Sequence, residues 1–210
     1  MSPEAAAVAL DEPDWHWTDP KVTPSVVTQS EMAKYEIAWS LPDYVSDGSP
    51  GEYYADMFQS IADSQPGDSV IDLGCGAGRG GKALKEKLDL NVTYQDFVKV
   101  DGVPSPFIQQ PLWHDLPKRN PLWKYGYCCD VMEHIPSEYV MLVVHNIMAA
   151  CDSALFSISF VPDIMGKYVG SPLHLTIQPY TWWCDRLAEF GELTEARDML
   201  GQGVFYVKRR

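Results

Sequence analysis

The sequence predicts an α/β fold: a doubly wound sheet of about seven strands with helices on both faces, its last two strands fitting an antiparallel pair. Three observations carry this. From Asp68 onward, short apolar or aromatic runs alternate with stretches of helical periodicity. The first run, Val70-Ile71-Asp72-Leu73, ends in Gly74-Cys75-Gly76-Ala77-Gly78-Arg79-Gly80 and opens into a helix. Two further strand-like runs close the chain.

Residues 1–30 hold Pro3, Pro13, Pro20 and Pro24 and little periodicity, so they read as a loosely structured arm. Trp15 and Trp17 within it are candidates for docking on the body or on a protein partner. Residues 31–66 read as a helical lid. Met32, Tyr35 and Trp39 follow helical spacing over 31–40, and Tyr54, Met57, Phe58 and Ile61 share one face of a helix over 51–63. Residues 67–210 form the core. Its strands are expected at 69–73, 92–95, 107–110, 125–129, 154–161, 193–197 and 203–208, with helices at 80–88, 137–150 and 180–190. The strand at 154–161 is largely apolar, as suits one buried on both faces.

A chain of 210 residues fits one domain with a modest appendage, and 46% hydrophobic residues make a packed core feasible. No run approaches the roughly 18 apolar residues of a membrane span. Residues 1–10 carry Glu4 and no Lys or Arg, unlike a signal peptide, so a cytoplasmic location is expected. The five cysteines form no Cys-x-x-Cys pair and read as reduced thiols, with no metal site expected. Net charge is −13, from 16 basic and 29 acidic residues. Such a surface repels a phosphate backbone and disfavours duplex nucleic acid as a partner. Lys82, Lys85 and Lys87 read as a solvated helix face.

In open α/β sheets, ligands sit beyond the carboxyl ends of the strands. Gly74, Gly76 and Gly78 fall there and let backbone approach a ligand closely. A phosphate-binding loop of the Gly-x-x-x-x-Gly-Lys-Ser/Thr type fails at Ala83, where the hydroxyl that holds magnesium is missing. Asp72, just before the glycines, suits a cationic or zwitterionic ligand better than a pyrophosphate.

Asp72-Leu73-Gly74-Cys75-Gly76-Ala77-Gly78 resembles motif I of the class I S-adenosylmethionine-dependent methyltransferases. Asp130-Val131-Met132-Glu133-His134-Ile135-Pro136, 58 residues after Asp72, is similar to the motif at the end of their fourth strand. A narrower resemblance, over roughly residues 33–190, is to short methyltransferase type 11-like proteins, many of them encoded by phages. It rests on Lys34-Tyr35-Glu36, Ser49-Pro50-Gly51-Glu52 and Pro172-Leu173-His174-Leu175-Thr176. The family implies a Rossmann-like sheet with an antiparallel terminal pair, and S-adenosylmethionine as cofactor.

The resemblance implies roles by position. Asp72 helps to hold the amino-acid part of the cofactor. Asp96, 24 residues on, accepts from the ribose hydroxyls. Asp115 and Leu116 meet the adenine. Asp130 and Val131 lie beside the methionine part. Tyr35, Trp39 and Tyr44 form a lid over the cofactor, unless Tyr35 and Trp39 are simple core packing, and Glu52 reaches the cofactor edge. His134, His174 and Glu133 are the catalytic candidates. His134 suits a general base, since an imidazole with a pKa near ~6.5 takes a proton at neutral pH; alternatively it and Glu133 hold the loop by hydrogen bonds. Tyr180, Trp182 and Trp183 are either core packing or an aromatic wall for a planar acceptor.

No Pro-Cys dipeptide and no Asn/Asp-Pro-Pro-Tyr/Phe motif follows the fourth strand. The acceptor is therefore expected to be a small molecule or nucleotide, methylated on O or N. Two other readings stand beside this one: a non-catalytic module that binds S-adenosylmethionine or a partner, and an NAD(P)-dependent oxidoreductase. The second shares the glycines and Asp96 but leaves Asp72 and the 130–136 segment unexplained.

Overall fold

The strands β1 (Trp15–His16), β2 (Ser69–Leu73), β3 (Asn91–Asp96), β4 (Phe107–Gln109), β5 (Trp123–Cys129), β6 (Cys151–Ser159), β7 (Gly191–Met199) and β8 (Gln202–Arg209) share one sheet, in the order β1-β4-β3-β2-β5-β6-β8-β7. The computed structural model describes residues 15–16, 25–46 and 50–210. Pairing is parallel from β1 to β6, and β8 runs antiparallel between β6 and β7. The seven strands read from the sequence are all present. β1 adds a two-residue edge, its backbone pairing with Ile108 and Gln109. Of the arm, Trp17 and the rest of residues 1–24 lie outside the described residues.

Successive strand residues face opposite sides, and each side has its own helices. Val70, Tyr125, Tyr127 and Val204 pack with Tyr54 and Phe58 of α3 (Pro50–Ala62) and with Leu84 of α4 (Arg79–Leu88). Ile71, Leu73, Phe156 and Phe205 pack with Val143 and Ile147 of α5 (Val140–Ala150) and with Trp183 and Leu187 of α7 (Tyr180–Ala188). Phe58 is fully buried, edge-on to Tyr125 and Tyr127 at 5.3 and 5.4 Å.

Trp183 is fully buried in the second core, and Trp182 packs against it at 4.9 Å. Tyr180 stacks on Phe205 at 5.4 Å. Trp183 fills the core while Tyr180 and Trp182 pack, partly buried, against it, and none of the three borders either strand-end cavity.

A third, smaller cluster sits above the strand ends. Tyr35 and Ala38 of α1 (Val26–Trp39) meet Leu173, with Trp39, Tyr44, Phe97 and Met165 packed around them. The periodicity placed this helix over 31–40; it begins at Val26, because the Ser25 hydroxyl accepts from the Thr28 N–H at 3.1 Å and caps the helix there. A short helix, α2 (Pro42–Ser46), follows. Among the described residues no helix is long and apolar enough to cross a membrane.

Candidate functional site

The chain runs from β2 to β3 and β4 on one side, then returns to β5 on the other, so β2 borders the switch in strand order. The crevice expected there holds the glycine turn. Gly74, Gly76 and Gly78 have φ of +65°, +52° and +72°. Only glycine takes these values without strain. A side chain at Gly74 would meet Val131 at 2.6 Å, and one at Gly76 would collide with the Trp39 ring.

Two carboxylates brace this turn from beneath. Gly78 begins α4 with no side-chain cap, and the cap comes instead from β2: Asp72 Oδ2 accepts from the Gly81 N–H at 2.7 Å. Burial pushes the Asp72 carboxyl up to about 7, against the Gly81 hydrogen bond and aided by nearby Asp96. A side chain at Gly81 would meet that Asp72 oxygen at 2.9 Å, so the cap requires glycine there. Asp96, at the end of β3, accepts from the Gly76 N–H at 2.8 Å and the Val98 N–H at 3.1 Å. Burial raises its carboxyl to about 6 despite these bonds. Gln95 adds a third tie, its Oε1 accepting from the Gly74 N–H at 3.1 Å.

Above the turn lie two connected lobes, open to solvent. The first, of about 90 Å³, is lined by Tyr35, Gln95, Asp96, Phe97 and the 110–113 segment that leaves β4. The second, of about 410 Å³, is lined by Gly76, Ala77, Arg79, Cys129 and the loops 161–165 and 173–174. Trp39, Tyr44, Gly74, Asp130 and His134 border both. Burial, together with Asp96, Asp130 and Asp163, pushes the Tyr44 phenol up, so it stays neutral.

Helix α1 bridges the mouth. The Trp113 indole N–H donates to Thr28 Oγ1 at 3.1 Å near its start. Lys34 Nζ donates to the Pro172 carbonyl at 3.1 Å, and the Tyr35 hydroxyl lies 2.7 Å from His134 Nδ1. Trp39 at its end lies against Gly76.

The two histidines meet edge-on, their ring centroids 4.7 Å apart. His174 Nδ1 lies 2.6 Å from the Val161 carbonyl. A carbonyl only accepts, so the neutral ring carries its proton on Nδ1 and its lone pair on Nε2. His134 Nδ1 faces both the Leu173 carbonyl, at 3.1 Å, and Tyr35. Burial pushes His134 down to about 4, an effect opposed by Asp130 and reinforced by His174. Asp163 caps the 163–174 loop by accepting from the Gly166, Leu173 and His174 N–H groups. Desolvation works against its charge, yet these bonds and His174 hold its pKa below the usual range.

Four residues read as site residues fall elsewhere. Glu133 is fully buried and borders neither lobe. Its Oε1 accepts from the Ser159 N–H at 2.5 Å, and its carbonyl accepts from Leu175 and Thr176, so it ties the 3-10 turn Met132–His134 to β6 and to the 173–176 loop. Burial, then Asp130, raises its carboxyl well above the ordinary value. Asp115 is exposed and Leu116 is buried; both border a separate groove with Lys118, Arg119 and His145. Gln110, Pro111, Leu112 and Trp113 take the expected place beside the first lobe. Glu52 pairs with Arg79 at 2.7 Å and joins α3 to the start of α4. Asp130 has φ +61°, a left-handed conformation unusual for a non-glycine residue, and Val131 packs on Gly74.

No family model and no curated protein matches this chain. Solved structures do match it in fold. The DhpI–SAH complex superposes with a TM-score of 0.65 at 16% identity, over 89% of this chain and 98% of that one. Magnesium protoporphyrin IX methyltransferase (ChlM) from Synechocystis PCC 6803, with bound SAH, gives 0.60 at 16% identity, over 88% and 99%. The [4+2]-cyclase SpnF gives 0.61 at 10% identity, over 75% and 81%. The chain has the class I methyltransferase fold, and that fold also carries a cyclase.

Proposed function

We propose that the chain binds S-adenosylmethionine across the two lobes and transfers its methyl group to an O or N atom of a small-molecule or nucleotide acceptor. The observation that carries this reading is the meeting of the lobes at Gly74, Asp130 and His134, with Asp96 on one side and the glycine turn on the other. The site fits the cofactor. The turn is a cradle that a Cβ at Gly74 or Gly76 would fill, and Asp96 and Asp130, which line the lobes, suit a ligand bearing a sulfonium and an ammonium. In this reading Asp96 holds the ribose hydroxyls, Gln110 to Trp113 flank the adenine in place of Asp115 and Leu116, and Trp39 and Tyr35 close the lid. The arm is the segment for a protein partner.

Bound S-adenosylmethionine supplies an activated methyl group. The chain supplies alignment and a proton acceptor. His174 holds a lone pair on Nε2 through its bond to Val161, which makes it the better-defined base. His134 stays neutral at pH 7, but a pKa near 4 makes it a weak proton sink, so it positions the acceptor through Tyr35 and Leu173. Glu133 braces the loop.

A second reading, binding without methyl transfer, draws on the weak basicity of His134 and on the cyclase that shares the fold. An oxidoreductase fits less well: dinucleotide-binding sheets are parallel in the order 3-2-1-4-5-6, whereas β8 here runs antiparallel between β6 and β7. Calorimetry with S-adenosylmethionine, S-adenosylhomocysteine and NAD tests all three. Micromolar binding of the first two, lost in Asp96→Ala and partly kept in Asp96→Asn, supports the cofactor reading. Binding of NAD alone overturns it. Label transfer to an acceptor separates catalysis from binding.

A further inference from the structure

The second lobe changes character from floor to mouth. Its floor holds Asp130, Asp163, His134 and His174. Its mouth holds aliphatic side chains that face solvent: Val45 is 45% exposed, Val161 50% and Ile164 74%. The β7–β8 turn continues this rim. The Phe160 N–H donates to the Gly201 carbonyl at 2.7 Å, a side chain at Gly201 would stand 3.2 Å from Val161, and neighbouring Leu200 is fully exposed. Contiguous exposed apolar surface beside a polar pocket marks a binding site rather than an ordinary surface.

The charges select the polar end of the ligand. Arg79 is the one Lys or Arg lining this lobe among the described residues, and it is paired with Glu52. Asp130 and Asp163 line the same lobe, on a chain of net charge −13. Beside Asp130 and Asp163 a phosphate or carboxylate meets like charge, whereas an amine meets complementary charge and histidine acceptors; the glycine turn and Arg79 remain for the carboxylate of the cofactor.

We propose that the second lobe takes an amine on an apolar body, its nitrogen directed to the floor beside Asp130 and His174, and its hydrocarbon lying on Val45, Val161 and Ile164. This deepens the methyl-transfer reading and rests on it for the statement that the amine is the acceptor. It narrows the acceptor from small molecules and nucleotides in general to apolar amines.

The probes are butylamine, hexylamine and octylamine, with octanoate and AMP as controls, each titrated by calorimetry into the full chain with and without saturating S-adenosylhomocysteine. Affinity is expected to rise about three- to fourfold per added methylene, the equivalent of about 0.8 kcal/mol. Octanoate and AMP are expected to bind at least tenfold more weakly than octylamine. The surface double variant Val161→Ser/Ile164→Ser keeps its S-adenosylhomocysteine affinity, loses about tenfold for octylamine, and loses little for butylamine. AMP or octanoate binding as tightly as octylamine, or an affinity independent of chain length, overturns the proposal. So does octylamine binding untouched by the double variant. Failure of S-adenosylhomocysteine to bind, with the amine series behaving as expected, sinks the cofactor reading and leaves the amine site standing.

Discussion

Replacing Asp72 by Asn should stabilise the fold at neutral and alkaline pH, although it alters the residue that caps α4. Burial raises the Asp72 carboxyl from 3.8 to about 7 in the folded chain. Below pH 4 the group is protonated in both states and its titration contributes nothing. Between pH 4 and 7 the unfolded chain ionises while the folded chain holds its proton, so stability falls as pH rises. Above pH 7 the whole penalty is present. At 1.36 kcal/mol per pKa unit it amounts to about 4 kcal/mol. Asn retains an oxygen for the Gly81 N–H, and below pH 7 the protonated Asp72 is a neutral acceptor too, so that bond is common to the pair. The variant should therefore be more stable than the parent by about 4 kcal/mol at pH 8 and nearly equal to it at pH 4. Urea unfolding of both proteins at pH 4, 5.5, 7 and 8.5 gives the difference directly, since the other carboxylates are common to the pair. Parallel stability curves, or a variant less stable at pH 8, would refute the claim that ionising the buried Asp72 carboxyl beneath the glycine turn costs more than the Gly81 hydrogen bond returns. If the proposed cofactor site is correct, saturating S-adenosylhomocysteine should raise the parent more than the variant.

Gly76→Ala forces a side chain into a left-handed position and onto the Trp39 ring. It should cost about 1–2 kcal/mol in a thermal melt and weaken S-adenosylhomocysteine binding by roughly tenfold; unchanged affinity would place the ligand elsewhere. His134 should show no protonation in NMR from pH 8 down to pH 5, because burial holds it near 4, whereas Tyr35→Phe should cost about 1 kcal/mol by removing its 2.7 Å partner. Glu133→Gln should keep both the fold and any transferase rate, because the amide still accepts from Ser159. Glu133→Ala should lose about 1–3 kcal/mol by leaving that buried N–H unpaired. A rate collapse in Glu133→Gln with an unchanged melt would restore a catalytic role.

The core strands were legible because each joins an apolar run to a turn signal, and because Gly74, Gly76 and Gly78 admit few alternatives. Asp96 was legible by its place after a strand. Spacing says less about loops. Asp115 follows β4 by six residues, and a loop of that length can present any of them; Gln110 to Trp113 face the first lobe instead. Glu133 sits one residue from His134, yet the 3-10 turn sends one side chain into the core and the other to the cleft. The start of α1 had a readable signal in Ser25-x-x-Thr28, obscured by Pro24 beside it. The tautomer of His174 depends on a carbonyl 13 residues away and leaves no local trace in sequence.

β8 follows β7 in the chain but precedes it in the sheet. During synthesis, β7 emerges first and has no strand to pair with, because its neighbour in the finished sheet is β8 alone. Until residues 202–209 are made, β6 keeps an open edge carrying Leu155, Phe156 and Ile158, a template for contact with other chains. The two strands therefore enter the sheet together. A ribosome stalled between them, or a protease acting in the 200–201 turn before docking, would leave an aggregation-prone intermediate rather than a slightly shortened protein.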